Sequence, residues 1–176
     1  MAAIGIAVTV PLAAVSPSGA ASSSAAAAPS TASAVVVHRG DRVVVIGTST
    51  SEPRYLAVNR TGRVGTSTTS RPANTRLVVV PVVPGSSSYL LKTVTLTAGE
   101  PNCLASTPSG HLVTQACDTR VLAQHFALGG SDDGTFTIQT AHGLVVAGAQ
   151  GRVRITLDDA TSFTATDMGP YESPFD

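Results

Sequence analysis

The chain has 176 residues, eleven basic and eleven acidic side chains, a formal net charge of zero and no tryptophan. Its charges fall singly along the sequence, so no basic run forms that would hold nucleic acid or an anionic lipid surface, and polyanion binding is not expected. Ten arginines stand against the single lysine Lys92, and Ala, Val, Gly and Thr abound, a composition associated with GC-rich bacteria such as actinomycetes.

Residues 1–34 contain no charged side chain, and Ala2 to Val15 form an apolar run as long as a signal-peptide core, too short to span a bilayer comfortably. Ser18-Gly19-Ala20 and Ala32-Ser33-Ala34 fit the small-x-small pattern of signal peptidase, which places the mature start near Ala21 or Val35. The basic segment that normally opens such a signal is missing, so either the true start lies upstream of Met1 or the signal is atypical. A disordered Ala/Ser tail is the competing reading. Without the leader about 140 residues remain, enough for one domain with a real core. The expectation is a secreted, extracellular protein with no membrane span in its mature form, divided into a leader (1–34) and a single domain (35–176).

Beyond the leader the apolar runs are short, rich in Val, Thr and Ile, and bounded by turn residues, which predicts strands and almost excludes helix. The predicted strands are 42–47, 55–58, 63–66, 77–80, 89–96, 103–105, 111–115, 124–128, 135–139, 144–147, 152–157 and 163–166. Pro84-Gly85-Ser86 and Asp132-Asp133-Gly134 supply turn chemistry between groups of four, the latter with a Gly able to adopt positive φ. Residues 169–176, with Pro170 and Pro174, are expected to lie on the surface or fray.

Spacing within these runs recurs with a period of roughly 40 residues, the mark of internal repetition. Tyr55-Leu56-Ala57, Gly62-Arg63-Val64 and Thr75-Arg76-Leu77 answer to Cys103-Leu104, Gly110-His111-Leu112 and Gln124-His125-Phe126, and again to Leu144-Val145-Val146-Ala147, Gly151-Arg152-Val153 and Thr161-Ser162-Phe163. Four strands in each of three units, about 42–85, 86–130 and 131–168, satisfy an all-β β-trefoil, in which six strands close a barrel and three hairpins cap it.

Cys103 and Cys117, in an exported chain, would form a disulfide. The loop of about 15 residues that they close is associated with about 3 kcal/mol of stabilisation in the chain-entropy treatment. Two buried free thiols, or a metal site with His111 or His125, are the rivals; without a C-x-x-C cluster no metal site is expected.

Cys103-Leu104, Cys117 and Gln124-His125-Phe126, with Asp133-Gly134-Thr135-Phe136 and His142-Gly143-Leu144 opening the next unit, resemble the repeat of the ricin-type β-trefoil lectins. The resemblance spans about 42–167, strongest in the middle unit, where alone Cys, Cys and Gln are all kept. It implies that the Gln124 amide is buried and bonds backbone, that Phe126 fills the core, and that an extracellular glycan is the ligand. Leu56, Leu104, Leu112, Val145, Val153 and Phe163 are expected to share that core. In sugar-binding members an Asp two positions after the first Cys accepts hydrogen bonds from sugar hydroxyls, and those positions are Ala57, Ala105 and Ala147 here. The polar residues left near the hairpins of the second and third units, His111, Gln115 and Asp118, or Gln150, Arg152 and Asp158, are the candidate ligand-binding groups.

Catalysis has little support: the histidines are separated, no G-x-S-x-G elbow occurs, and the paired acids Asp132-Asp133 and Asp158-Asp159 fall in turns. No cofactor is implied. His125 reads as an outward-facing strand residue. A second class is a secreted protease inhibitor presenting one loop on a rigid barrel, with Arg120 as the better bait and Arg71, which precedes Pro72, as the poorer; a third is a structural or cell-surface interaction module with no small ligand. In each role the protein is expected to be a monomer.

Overall fold

The computed structural model describes residues 42–97 and 100–172; the expected leader and its cleavage points lie outside the described residues. Twelve strands are present: β1 (Arg42–Thr48), β2 (Tyr55–Val58), β3 (Val64–Ser67), β4 (Arg76–Pro81), β5 (Ser88–Thr97), β6 (Glu100–Ser106), β7 (Leu112–Ala116), β8 (Phe126–Gly130), β9 (Phe136–Thr140), β10 (Gly143–Ala147), β11 (Val153–Thr156) and β12 (Phe163–Pro170). Every strand expected from the sequence forms, with shifted ends. Among the described residues, helix is limited to two single turns of 3-10 type, Ala73–Thr75 and Leu122–Gln124.

Six strands close on themselves by antiparallel pairing: β1 with β4, β4 with β5, β5 with β8, β8 with β9, β9 with β12, and β12 with β1. Closure removes the unpaired edge that an open sheet would present. The other six strands form the hairpins β2–β3, β6–β7 and β10–β11. Each hairpin continues from a barrel strand, β2 on β1, β6 on β5 and β10 on β9.

The hairpins come together through one contact made three times. Gly62, Gly110 and Gly151 take φ of 74°, 77° and 77°, a left-handed conformation that costs a residue without a Cβ little. Each turns its carbonyl outward to a neighbouring hairpin: Thr114 N–H donates to Gly62 O at 2.7 Å, Ile155 N–H to Gly110 O at 2.8 Å, and Thr66 N–H to Gly151 O at 2.9 Å. The three contacts form a closed cycle. Beneath them Leu56 and Val64, Leu104 and Leu112, and Val145 and Val153, one from each strand of each hairpin, are buried against Phe126 and Phe163 in a single apolar core.

All the side chains expected in the core are there, Gln124 included. Gln124 does not begin a strand, however. It ends the 3-10 turn that precedes β8, because its amide is occupied with the preceding loop: Nε2 donates to Ala116 O at 2.8 Å and Oε1 accepts from Asp118 N–H at 3.0 Å. His125 accordingly caps that turn, half-buried, with Nε2 donating to Thr119 O at 2.8 Å, and is not the outward strand residue that alternation suggested. The expectation for residues 169–176 is also corrected in part. β12 runs on through Gly169 and Pro170, paired with Val43 and Arg42, and Tyr171 packs its ring 5.4 Å from the Lys92 ammonium; residues 173–176 lie outside the described part.

Cys103 and Cys117 are joined, Cα to Cα 4.9 Å, which excludes the free-thiol and metal alternatives for these two sulfurs. The bridge ties the buried middle of β6 to the exposed loop after β7.

Truncating Phe126 to alanine should lower the unfolding free energy by about 3–5 kcal/mol, read in urea as a lower midpoint with an unchanged slope. Replacing Gly62 with alanine should cost more than about 1 kcal/mol, because φ is positive and the new Cβ would sit 2.7 Å from Thr114 Oγ1. Wild-type stability in either variant would contradict the packing described.

Candidate functional site

The hairpins β2–β3 and β10–β11 touch at the Thr66–Gly151 hydrogen bond and at a further bridge between Gly65 and Arg152. Between them opens a cleft of about 1330 Å³ lined by Arg54, Ala57, Asn59, Arg63, Asn74, His111, Gln150, Arg152 and Arg154, with backbone of the Gly148–Gly151 turn. Local structure places these groups. The extended backbone from Arg152 into β11 buries Val153 and leaves Arg152 and Arg154 exposed on either side of it, about 7 Å apart along the chain. Arg54 enters β2 with its N–H held by Thr48 Oγ1 at 3.0 Å, and its Nη1 reaches to 3.9 Å from the point where a Cβ on Gly151 would lie. Asn59 is fixed by its turn: Oδ1 accepts from Thr61 N–H and Arg63 N–H, both at 2.9 Å. The Asn74 amide donates to Val58 O at 2.8 Å.

Three of the residues singled out in the sequence, His111, Gln150 and Arg152, share this cleft although two different units supply them. The other three are elsewhere. Gln115 is exposed on β7 opposite Cys103, and Asp158 is exposed in the connection from β11 to β12. Asp118 lies in the disulfide-bound loop and is occupied by Arg120. Sequence reasoning missed Arg54, Arg63, Arg154, Asn59 and Asn74. A signal was present for one of them: Arg63, His111 and Arg152 each follow a hairpin glycine, and all three line the cleft.

The cleft is one-signed. Four arginines and no carboxylate line it, and among the described residues none of the four is ion-paired, the two salt bridges being Arg42–Asp167 and Arg120–Asp118. The sequence expectation that no basic surface forms therefore fails here, because side chains far apart in the chain converge in space. No Phe, Tyr or Trp ring lines the cleft either: Phe126 and Phe163 are in the core and Tyr89 is buried.

At the positions where the resemblance calls for a sugar-binding Asp, Ala57 lines the cleft half-buried, Ala105 is wholly buried, and Ala147 is half-buried with its N–H donated to Thr161 Oγ1 at 3.0 Å. A second cleft of about 810 Å³, lined by Asn59, Arg60, Thr61, Asn74, Thr93 and Asn102 among others, lies on the far side of the β2–β3 hairpin and offers mainly amides and hydroxyls.

Arg120 is the most exposed charged group in the loop after β7, at 89% for its side chain. Its guanidinium forks onto Asp118, Nε to Oδ1 and Nη2 to Oδ2, each at 3.0 Å, while its own N–H donates to Oδ1 at 2.9 Å. These bonds, the side-chain ones foremost, hold the Asp118 carboxyl down at about 2 from its ordinary 3.8. Arg71 is exposed ahead of the 3-10 turn at Ala73–Thr75. Ser106 Oγ lies 2.8 Å from His142 Nδ1 and 3.1 Å from Ala123 O. Among the described residues no group of three His, Cys, Asp or Glu side chains could hold a metal ion.

No family model matches the chain, and no curated protein matches it. Solved structures do. The fold is similar to Cry35Ab1, with a TM-score of 0.61 and 13% identity over 77% of this chain, which spans 38% of that protein. It is similar to the Haemophilus ducreyi cytolethal distending toxin, with a TM-score of 0.54 and 13% identity over 74% of this chain and 85% of that one. It is also similar to SeviL, whose structure has asialo-GM1 saccharide bound, with a TM-score of 0.57 and 7% identity over 73% of this chain and 98% of that one. At these identities the likeness is one of fold.

The Asp118 contacts carry a pH signature. Because the folded-state carboxyl is shifted down, its contribution to stability is present above about pH 4 and is lost as pH falls through about 2. A carbon-detected NMR titration should place the Asp118 midpoint near 2, and Arg120→Ala should move it up toward the ordinary carboxylate range. An Asp118 midpoint in the ordinary range in the wild type would show that the fork does not persist in solution.

Proposed function

We propose that this chain is a secreted, non-enzymatic carbohydrate-binding module with a β-trefoil fold of the ricin-like type, built from three repeats and acting as a monomer. The fold reading is supported by the six-strand closure, by the three equivalent glycine contacts between hairpins, and by the Gln124 amide in the role that the lectin repeat gives it. The observation that carries the binding reading is the open polar cleft between β2–β3 and β10–β11, which gathers His111, Gln150 and Arg152 with Asn59 and Asn74. The likeness to SeviL, bound to a saccharide, supports an extracellular glycan as ligand. Export rests on the uncharged leader.

Alanine at positions 57, 105 and 147 removes the carboxylates on which galactose recognition would depend, and each charge-assisted bond is worth about 1.5–3 kcal/mol. Calorimetry with galactose and lactose should therefore give dissociation constants in the millimolar range (about 1 mM or weaker) or no heat at all. A micromolar constant would show that other groups have replaced those carboxylates. A glycan array presenting both neutral and acidic saccharides tests the broader reading, which predicts retention of at least one class.

Protease inhibition is the second reading, favoured by the loop after β7. That loop is fixed at Cys117 by the disulfide and at Asp118 by Gln124, and it carries the exposed Arg120. Against a panel of trypsin-like proteases, inhibition that Arg120→Ala abolishes would establish this role; no inhibition at micromolar protein would end it. Arg71→Ala is the corresponding test of the lesser loop.

A further inference from the structure

Four of the eleven basic residues of a neutral chain line one cleft, and among the described residues no acid does. Arg54 and Arg63 come from the β2–β3 side, Arg152 from the residue just before β11 and Arg154 from β11 itself. Holding unpaired like charges around a concavity is unfavourable in the empty protein, and the walls concentrate the positive potential within it. A bound anion relieves the repulsion. Guanidinium suits this especially, because its planar fork donates two parallel hydrogen bonds to a carboxylate or a sulfate.

The rest of the lining limits what the anion belongs to. Without a Phe, Tyr or Trp ring the cleft lacks the platform on which the apolar face of a neutral sugar stacks best. A nucleobase could still lie on a guanidinium plane or the His111 ring, and the DNA arms of the test separate it from a saccharide. The cleft has instead the amides of Asn59, Asn74 and Gln150 and the His111 ring, which pair with hydroxyls. A ligand that meets both halves of this surface carries negative charge and many hydroxyl groups.

From this charge pattern we infer that the cleft between β2–β3 and β10–β11 binds an acidic polysaccharide, with carboxylate or sulfate groups on the arginines and hydroxyls on the amides. The inference rests on the carbohydrate-binding reading and narrows it. Arg152, just before β11, and Arg154 within it grip the charged groups from one side, and Arg54 and Arg63 meet them from the opposite hairpin. The missing Asp at position 57 fits such a ligand, since a carboxylate there would repel it.

The test is titration calorimetry of the intact protein with heparin and with polygalacturonate, set beside neutral dextran and single-stranded and duplex DNA. The two acidic polysaccharides separate sulfate from carboxylate recognition. One or both should bind, with affinity falling about tenfold or more between about 0.05 M and about 0.3 M salt. Arg152→Gln combined with Arg154→Gln should weaken that binding about tenfold or more, as should Arg54→Gln combined with Arg63→Gln. Arg71→Gln combined with Arg76→Gln, outside the cleft, should leave it unchanged. All these side chains are exposed or half-buried, and coincident thermal melts check that each variant folds.

If neutral glycans bind and acidic ones do not, the inference is overturned and the carbohydrate reading stands. If no saccharide of either kind binds, both fall. DNA bound as tightly as the polysaccharides, or equal loss in the Arg71/Arg76 variant, would show a general attraction of polyanions and also overturn it.

Discussion

The arrangement of the hairpins depends on the cycle of three hydrogen bonds that joins them. Each bond needs a carbonyl turned outward at a position of positive φ, and Gly62, Gly110 and Gly151 supply it. The approach is close enough to demand glycine on both sides of one contact, since a Cβ on Gly65 would lie 2.8 Å from Gly151 O. From this follow the burial of Leu56, Leu104 and Val145 beneath the hairpins and the cleft beside them. The residue after each glycine, Arg63, His111 or Arg152, is thereby turned onto the cleft wall.

The same architectural task is met by different chemistry at equivalent places. Gln124 pins its loop with a buried amide that bonds Ala116 and Asp118. At the matching position of the first unit, Thr75 is wholly buried and its hydroxyl lies 2.9 Å from Ser70 O and 2.7 Å from Pro72 O. In the third, Thr161 accepts the Ala147 N–H. What persists is satisfaction of backbone groups that burial would otherwise leave unpaired, not the side chain that does it. This is why the recurring sequence spacing is faint over 42–85 and 131–168, although the strands there are as complete as those over 86–130.

Electrostatics divides the surface into two kinds of arginine. Arg42 and Arg120 are neutralised within the chain, by Asp167 and Asp118. Those of the cleft face solvent without an acid beside them. Like charges gathered within a Debye length of one another repel, and here they set the sign of the field in a cleft whose walls exclude solvent from several sides.

Strands, turns and the buried apolar positions were legible in the sequence, because each follows from local chemistry: alternation around Leu104 and Val153, a turn at Pro84-Gly85-Ser86, positive φ at Gly134, a disulfide reachable over a short loop. Gln124 was legible as buried through family resemblance, but the 3-10 turn it ends was not, since that turn depends on where Ala116 and Asp118 lie in space. The site was half legible. His111, Gln150 and Arg152 could be picked out as polar groups beside hairpin turns, whereas their convergence with Arg54, Arg63 and Arg154 could not, and Gln115, Asp118 and Asp158 could not be set aside. Chain order fixes which residues alternate and which turn; only tertiary structure fixes which charges are near one another, because electrostatic interaction depends on distance through space and not on separation along the chain.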